Sequence, residues 1–248
     1  MKRTIWMILF GVLVFAGIVI SRLPAGWVMP DPKSGVSCSD VDGTIWSGTC
    51  TGLTVQQLAL GDVTWDVHPM RLLAGKLNTD LVLTRPDGTS HGNVEVGMDQ
   101  GITARDIEAD LPLDHSLIPA VDPGLHGKLH AQIAFLRVEK NVIRSIAGLI
   151  EAHDIVDGAG GGLKQLGSYS VTFPQAAEGD PVGQLKNLEG SPLTVKGTLK
   201  LTSNPPGYEL AGQVKPEPGA SPDLVQMIQF FGRPDGEGFR PFGMQNSF

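Results

Sequence analysis

The stretch that decides the fold is Leu193-Thr194-Val195-Lys196-Gly197-Thr198-Leu199-Lys200-Leu201-Thr202, in which apolar or small residues alternate with polar ones. Successive side chains of a β-strand point to opposite faces, so this stretch predicts a strand with one apolar face and one wet face. Ser203-Asn204-Pro205-Pro206-Gly207 is a turn signal, and the same alternation resumes over 208–214. We therefore predict an antiparallel hairpin.

The same alternation recurs along most of the chain. It is found over 63–68, 77–83, 93–99, 107–111, 128–135 and 168–173. The 32 glycines and 18 prolines favour many turns, and 41% hydrophobic residues can fill a core. We predict a mostly β fold: a curved antiparallel β-meander that forms a partial barrel or a sandwich, because one-sided strands must cover their apolar face.

Helical signals outside the N-terminus are few. Ser221 and Pro222 form a good helix start, and apolar residues at helical spacing follow as far as Phe231. A short turn at 114–118 is a weaker signal, so we predict one or two short helices. Glycine-rich composition predicts a mobile loop at 158–162 and an irregular tail over 233–248.

The start of the chain has a different character. The apolar and glycine run Ile5–Ile20 follows Lys2 and Arg3. A helix crosses a hydrocarbon core of roughly 30 Å with about 17–25 residues, so we predict a transmembrane anchor over 1–23. A cleaved signal peptide is the alternative. Lys2 and Arg3 favour the cytoplasmic side, which would place the rest of the chain in the periplasm, anchored in the cell inner membrane by a single pass.

The remaining chain divides by composition into a proline-rich linker, 24–35, and a periplasmic β domain, 36–248. Three of the 19 basic residues precede the linker, so 16 remain against 26 acidic residues, a formal balance of −10. Such a domain lacks the net positive charge that binds nucleic acid, and anionic lipid head groups repel it. An acidic surface suits solubility and contact with basic partners.

The chain has two cysteines, Cys38 and Cys50. In an oxidising periplasm we expect them to form a disulfide; two unpaired buried thiols are the alternative. Two cysteines without a neighbouring Cys-x-x-Cys are too few for a structural zinc site.

No residue cluster indicates catalysis. His126 and His130 have the i, i+4 spacing of helical metal ligands, but on a strand four residues span about 13 Å, which favours two solvent-facing histidines. The glycines at 158–162 precede Lys164 without the spacing of a phosphate loop. A serine nucleophile elbow would need an α/β setting, which the strand pattern does not offer. We expect no enzyme activity, no cofactor and no metal.

Several motifs together resemble a known family. Gly43-Thr44-Ile45-Trp46-Ser47-Gly48 looks like the G-T-x-W-x-G signature of the type II secretion system protein N family of Gram-negative bacteria. The segments 60–65 and 69–75, the strand 207–214 and the stretch 231–236 are similar to later parts of that family; no motif matches over 90–190. The resemblance implies a non-enzymatic inner-membrane accessory subunit of the machinery that exports folded proteins from the periplasm. It implies contacts with the inner-membrane platform and, as a further candidate, with the outer-membrane secretin.

A second reading concerns lipid. The family's β domain also looks like that of AsmA-type periplasmic proteins, which are linked to lipid handling. If the sheet curls without closing, its apolar face forms a groove for acyl chains. This alternative predicts a lining of Leu193, Val195, Leu199, Leu201, Leu210 and Val214.

Overall fold

The structure is a computed structural model of the 248-residue chain. It describes residues 2–27, 35–56, 58–72, 74–98, 101–118, 121–140, 142–158, 163–174 and 179–247. The chain divides into two compact units, Met1–Arg85 and Pro86–Phe248.

The first unit combines the N-terminal helix with a small antiparallel sheet. Its elements are α1 (Lys2–Ser21), a 3₁₀-helix (Ala25–Trp27), β1 (Val36–Ser37), β2 (Asp40–Gly43), β3 (Ser47–Val55), β4 (Leu58–Val67), α2 (Pro69–Leu72) and β5 (Leu77–Arg85). Strand β3 pairs with β1 and β2 along one side and with β4 along the other, and β4 pairs with β5. All of these pairings are antiparallel.

The second unit is a meander in which each strand pairs antiparallel with the next one along the chain. Its elements are β6 (Gly88–Val96), β7 (Ile102–Leu113), β8 (Leu125–Glu139), β9 (Val142–Asp157), β10 (Lys164–Phe173), β11 (Val182–Asn187), β12 (Leu193–Ser203), β13 (Pro206–Pro216), α3 (Pro222–Ile228) and β14 (Arg240–Ser247). The predicted mostly β, antiparallel fold is confirmed.

The two strongest local predictions are also confirmed. Strands β12 and β13 form the hairpin, with register running from Leu193 opposite Pro216 to Ser203 opposite Pro206. Helix α3 begins after Ser221, whose hydroxyl accepts a hydrogen bond from the Leu224 N–H at 3.3 Å. The side chain thereby satisfies one of the unpaired N–H groups at the start of the helix.

The prediction of an irregular tail over 233–248 was wrong, because β14 pairs with β13 along eight residues, from Arg240 to Ser247. Pairing satisfies the backbone of this stretch in spite of its glycine content. Phe242 also packs against the core beneath α3. Glycine composition therefore hid a strand that is held by its neighbour. Of the loop predicted at 158–162, residues 159–162 lie outside the described residues, as do 28–34 of the predicted linker.

Helix α1 spans 20 residues and exposes large apolar side chains, among them Trp6 at 76% and Phe10 at 68%. In the part of the chain that the structure describes, no helix combines the length and hydropathy required to cross a membrane. The transmembrane anchor is therefore not confirmed and stays a prediction.

The main core of the second unit lies beneath α3. Leu224 and Ile228 of the helix, each 1% exposed, pack on Leu193, Val195 and Val214 of the hairpin. Burial of these five apolar side chains holds the helix on one face of the sheet, since each contributes roughly 1.5–3 kcal/mol when fully removed from water.

Candidate interaction surfaces

The segment 43–48 joins the end of α1 to the first sheet. The indole Nε1 of Trp46 donates a hydrogen bond to the carbonyl of Ile20 at 2.8 Å. The backbone N–H of Ile45 donates to the carbonyl of Leu23 at 3.0 Å, and Pro24 forms an isolated antiparallel bridge with Thr44. These contacts fasten the C-terminal end of the helix to the turn between β2 and β3.

The same segment is built to close tightly on itself. The hydroxyl of Thr44 accepts hydrogen bonds from the N–H groups of Trp46 and Ser47, each at 3.2 Å. Gly48 lies under Trp65: a Cβ added there would be 2.6 Å from the indole ring and 2.4 Å from the carbonyl oxygen of Asp42. Only glycine fits at this close approach.

A disulfide joins Cys38 and Cys50, as expected from the sequence. Their Cα atoms are 5.6 Å apart, and Cys50 is only 3% exposed within β3. The bond crosslinks the segment between β1 and β2 to the central strand of the first sheet. It therefore holds the short β1–β2 segment in place, where few backbone pairs do so.

The six residues proposed for a lipid groove do share one face of the sheet, because Val195 pairs with Val214 and Leu199 with Leu210. They do not share one environment. Leu193, Val195 and Val214 are buried under α3. The other three, Leu199, Leu201 and Leu210, lie further along the hairpin and are only half-buried.

The apolar face extends well beyond the hairpin. Directly paired residues form one row across eight strands, from β7 to β14: Ala109, Ala131, Ile150, Val171, Leu185, Gly197, Gly212 and Phe242. The neighbouring row along each strand faces the opposite side and is polar. It contains Asp110, His130, Glu151, Ser170, Lys186, Lys196 and Gln213, followed by Pro241 on β14.

Strand β14 forms an edge of the second unit. It pairs with β13 along one side, and no pairing along its other side is present among the described residues. After Arg240 the strand carries no charged residue, and Met244 is 58% exposed. Uncharged edge strands of this length are open to pairing with another chain. Near the end of this strand lies an open cleft of about 390 Å³, whose lining includes Asn204, Tyr208 and Asn246.

His126 and His130 lie on the polar face of the second unit. His130 Nδ1 is 2.6 Å from an Asp110 carboxylate oxygen, and His126 is exposed near the start of β8. Across the described ranges, no three His, Cys, Asp or Glu side chains gather to hold a metal ion. Cross-strand pairing accounts for the position of His130 without a ligand.

Trp46 and Trp65 are both half-buried and make internal contacts. Phe239 is buried between two lysines, with its ring centroid 3.9 Å from Lys196 Nζ and 4.7 Å from Lys215 Nζ. Phe248 lies outside the described residues. The sequence did not predict that Trp46 caps the end of α1, nor the strand register that aligns the charged residues in one row.

The half-buried phenol of Tyr169 has a shifted pKa. The Tyr169 hydroxyl donates to the carbonyl of Leu166, and burial beside the core raises the pKa of Tyr169 to about 12. Burial disfavours the charged phenolate. This tyrosine is therefore a packing group with a polar tip and not a surface acid.

The fold and surfaces define an antiparallel β-sheet protein whose prominent features are two contrasting sheet faces, an open edge and an attached apolar helix. Comparison with known proteins gives the family. A family model described as "Type II secretion system (T2SS), protein N" matches residues 34–243, and the chain belongs to that family. The type II secretion system protein N of Vibrio cholerae serotype O1 is 26% identical over 258 residues, covering 99% of each chain. That of Aeromonas hydrophila is 25% identical over 262 residues, again covering 99% of each. No solved structure matches the chain.

Proposed function

We propose that the chain is a non-enzymatic accessory subunit of the type II protein secretion machinery, which exports folded proteins from the periplasm. Family membership over residues 34–243 is the observation that carries this proposal. The full-length match to relatives named type II secretion system protein N supports it, because no large segment is added or lost.

The subunit resides at the inner membrane, with α1 as its single-pass anchor and the β-strands on the periplasmic side. Two observations support this placement. The 20-residue helix is about 30 Å long at 1.5 Å per residue and presents exposed apolar side chains. A disulfide between Cys38 and Cys50 is typical of an oxidising compartment. Lys2 and Arg3 orient the N-terminus toward the cytoplasm.

Its partners are other subunits of the machinery, in the inner-membrane platform and, as a further candidate, the secretin. The mechanism is tethering: an anchored domain is confined to a thin layer, which raises its effective concentration toward other anchored proteins. The open side of β14 supplies a place for a partner strand, since backbone hydrogen bonds give affinity without a dedicated pocket.

Crosslinking in native membranes tests this proposal. The full-length protein should be captured with a platform subunit, and deleting the gene should leave exoproteins in the periplasm. Met244→Lys on the β14 edge should lower the crosslinking yield, because lysine on an edge strand disfavours pairing. Phe230→Lys, at an apolar side chain 83% exposed but off the edge, is the matched control. Normal secretion without any captured platform subunit would count against the proposal.

A lipid-handling role is the alternative, and the eight-strand apolar row is the observation that favours it. Leu199, Leu201 and Leu210 extend this face beyond the cover of α3. The burial of Leu193, Val195 and Val214 under α3 restricts any groove to the remainder of the face. Native mass spectrometry of the purified full-length chain should then detect bound phospholipid, and Leu201→Asp should abolish it. A lipid-free protein would exclude this alternative.

A further inference from the structure

The polar face of the second unit separates its charges on the two sides of β10. Directly paired residues run in one row: Asp110 on β7, His130 on β8, Glu151 on β9, Ser170 on β10, Lys186 on β11 and Lys196 on β12. The row is acidic before β10, uncharged on β10 and basic after it. We call it the charged row.

Neighbouring positions extend both ends. Glu108 lies on β7 one pleat from Asp110, and Lys215 lies on β13, where its Nζ shares the ring of Phe239 with Lys196. Lys128 on β8 is a cation on the acidic side, and Glu209 on β13, opposite Lys200, is an anion on the basic side. With Glu108, Asp110 and Glu151 against Lys128, the acidic side keeps a negative excess, and Lys186, Lys196 and Lys215 make the other side positive.

These charges are poorly compensated within one chain. Asp110 and Glu151 contact His130 and His153 at 2.6 Å and 3.1 Å, and histidine carries charge only when protonated. Among the described residues, Lys186, Lys196 and Lys215 make no ion pair. Lys186 and Lys196 also stand directly opposite each other, an arrangement of like charges that destabilises a strand pair. Counter-charges from outside would relieve it.

The innermost charges of the charged row are symmetric about β10. Strands lie about 4.8 Å apart, so Glu151 and Lys186 are each about one strand from β10, on opposite sides of it. A rotation of 180° about an axis parallel to β10 lays Lys186 of a second copy over Glu151 of the first, and the reverse. Such an interface is self-complementary, as two-fold dimers require.

We propose that two copies of this chain associate face to face through the charged row, about a two-fold axis along β10. A second copy of the chain fits this face better than a purely anionic partner does. An acidic protein segment would neutralise the lysines but leave Glu108, Asp110 and Glu151 uncompensated. Anionic lipid is disfavoured by the formal balance of −10 after the N-terminal segment. The same surface offers an anion, Glu151, and a cation, Lys186, at equal distances from β10.

Cysteine crosslinking of full-length protein in native membranes tests the axis. Both native cysteines are joined in the disulfide, so an introduced cysteine is a unique thiol. Thr172→Cys lies on β10, where a two-fold axis brings a residue next to its own copy, and should form a covalent dimer. Thr198→Cys is the control, in the same row on β12 but about 19 Å from its copy, beyond disulfide reach.

A mixed experiment checks the register. Gln132 lies on β8, as far before β10 as Thr198 lies after it. Co-expressed Gln132→Cys and Thr198→Cys chains should crosslink to each other, although neither crosslinks alone. If Thr172→Cys gives no dimer, or if Thr198→Cys alone dimerises equally well, the two-fold axis along β10 is wrong.

Charge reversal tests the chemistry. In a nonionic detergent, a Lys186→Glu/Lys196→Glu chain and an Asp110→Lys/Glu151→Lys chain should each dimerise about tenfold more weakly than the wild type, because like charges then face each other. A mixture of the two should recover dimer, since one face is then acidic and the other basic. Added salt should weaken the wild-type dimer.

Sedimentation of these samples measures the fraction of the chain that is dimeric. Failure of the mixture to recover dimer, or a wild-type dimer that salt does not weaken, overturns the inference. The inference is also overturned if the wild type is monomeric and the Lys186→Glu/Lys196→Glu chain loses crosslinks to another subunit, since the basic side then binds a different partner. Self-association is measured without any secretion assay, so this inference can fail while the proposed function stands.

Discussion

Replacing Gly48 by alanine should destabilise the first unit, and the structure gives the size of the effect. The added Cβ would be 2.4 Å from the carbonyl oxygen of Asp42 and 2.6 Å from the ring of Trp65. Real Cβ contacts at such distances are essentially absent, so at least one neighbour must move. The indole can shift, but the Asp42 carbonyl belongs to β2, which pairs with β3 from Asp40 to Gly43.

Two opposing contributions set the magnitude. Overpacking of this kind costs about 1–3 kcal/mol, and the upper end applies because a paired backbone must move. Alanine also restricts the unfolded chain more than glycine, which stabilises by about 0.4–1 kcal/mol where the native backbone permits alanine. We therefore expect Gly48→Ala to lower the free energy of unfolding by about 2 kcal/mol.

Urea unfolding of full-length protein in detergent, followed by tryptophan fluorescence, measures this change. All four tryptophans lie in the first unit, so the signal reports its unfolding and not that of the second unit. Gly26→Ala, also in the first unit, is the control, because nothing lies within 4 Å of an added Cβ there. It should leave the tryptophan-detected midpoint unchanged. A Gly48→Ala midpoint equal to that of the wild type would refute the steric account of this glycine.

Three further predictions concern the core, the disulfide and Tyr169. Ile228→Ala should lower the free energy of unfolding of the second unit by about 2–5 kcal/mol, because it opens a cavity under α3. Phe230→Ala, at an exposed side chain, is the control and should change this free energy little. Circular dichroism in urea compares the two variants, and equal effects would contradict the packing beneath α3. Replacing both Cys38 and Cys50 by serine should lower the free energy of unfolding by about 2–3 kcal/mol. A reducing agent should destabilise the wild type but not this variant. A wild type whose stability does not change on reduction would disprove the contribution of the disulfide. The pKa of Tyr169 is raised to about 12 from an ordinary 10.0, so its contribution to stability is complete below pH 10 and is lost as the pH rises from about 10 to about 12. Tyr169→Phe should remove that part of the alkaline loss in a series of urea titrations, and an identical alkaline profile would contradict it.

Much of the β architecture is readable in the sequence, because a period of two survives wherever a strand is regular. The hairpin β12–β13 is such a case. Strand β9 is not: sixteen residues long, it shows no sustained alternation and was not predicted. Its pairing with β8 shifts register three times. Two of these shifts insert a residue into β9, between His153 and Val156 and between Ile143 and Ser145. Each insertion moves the following side chains of β9 to the other face, which erases the period.

The surfaces were less predictable than the strands. Lys186 and Glu151 are 35 positions apart, and nothing local indicates that they stand at equal distances from β10. Only the register of two strand pairs, β9 with β10 and β10 with β11, places Glu151, Ser170 and Lys186 side by side. The same reason hid the role of Trp46, since its hydrogen-bond partner Ile20 belongs to a segment whose composition suggests only a membrane helix.

The contacts of Trp46 change what tethering means for this protein. A free linker over 24–35 would let a domain wander by about 20 Å, since flexible chains extend roughly 5–6 Å times the square root of their length. The bonds from Trp46 to Ile20 and from Ile45 to Leu23 bypass that linker, because they join the end of α1 directly to the β2–β3 turn. Under the proposed anchoring by α1, these bonds would confine the first sheet in orientation as well as in distance. The proposed partners in the same layer would then lose less rotational entropy on docking.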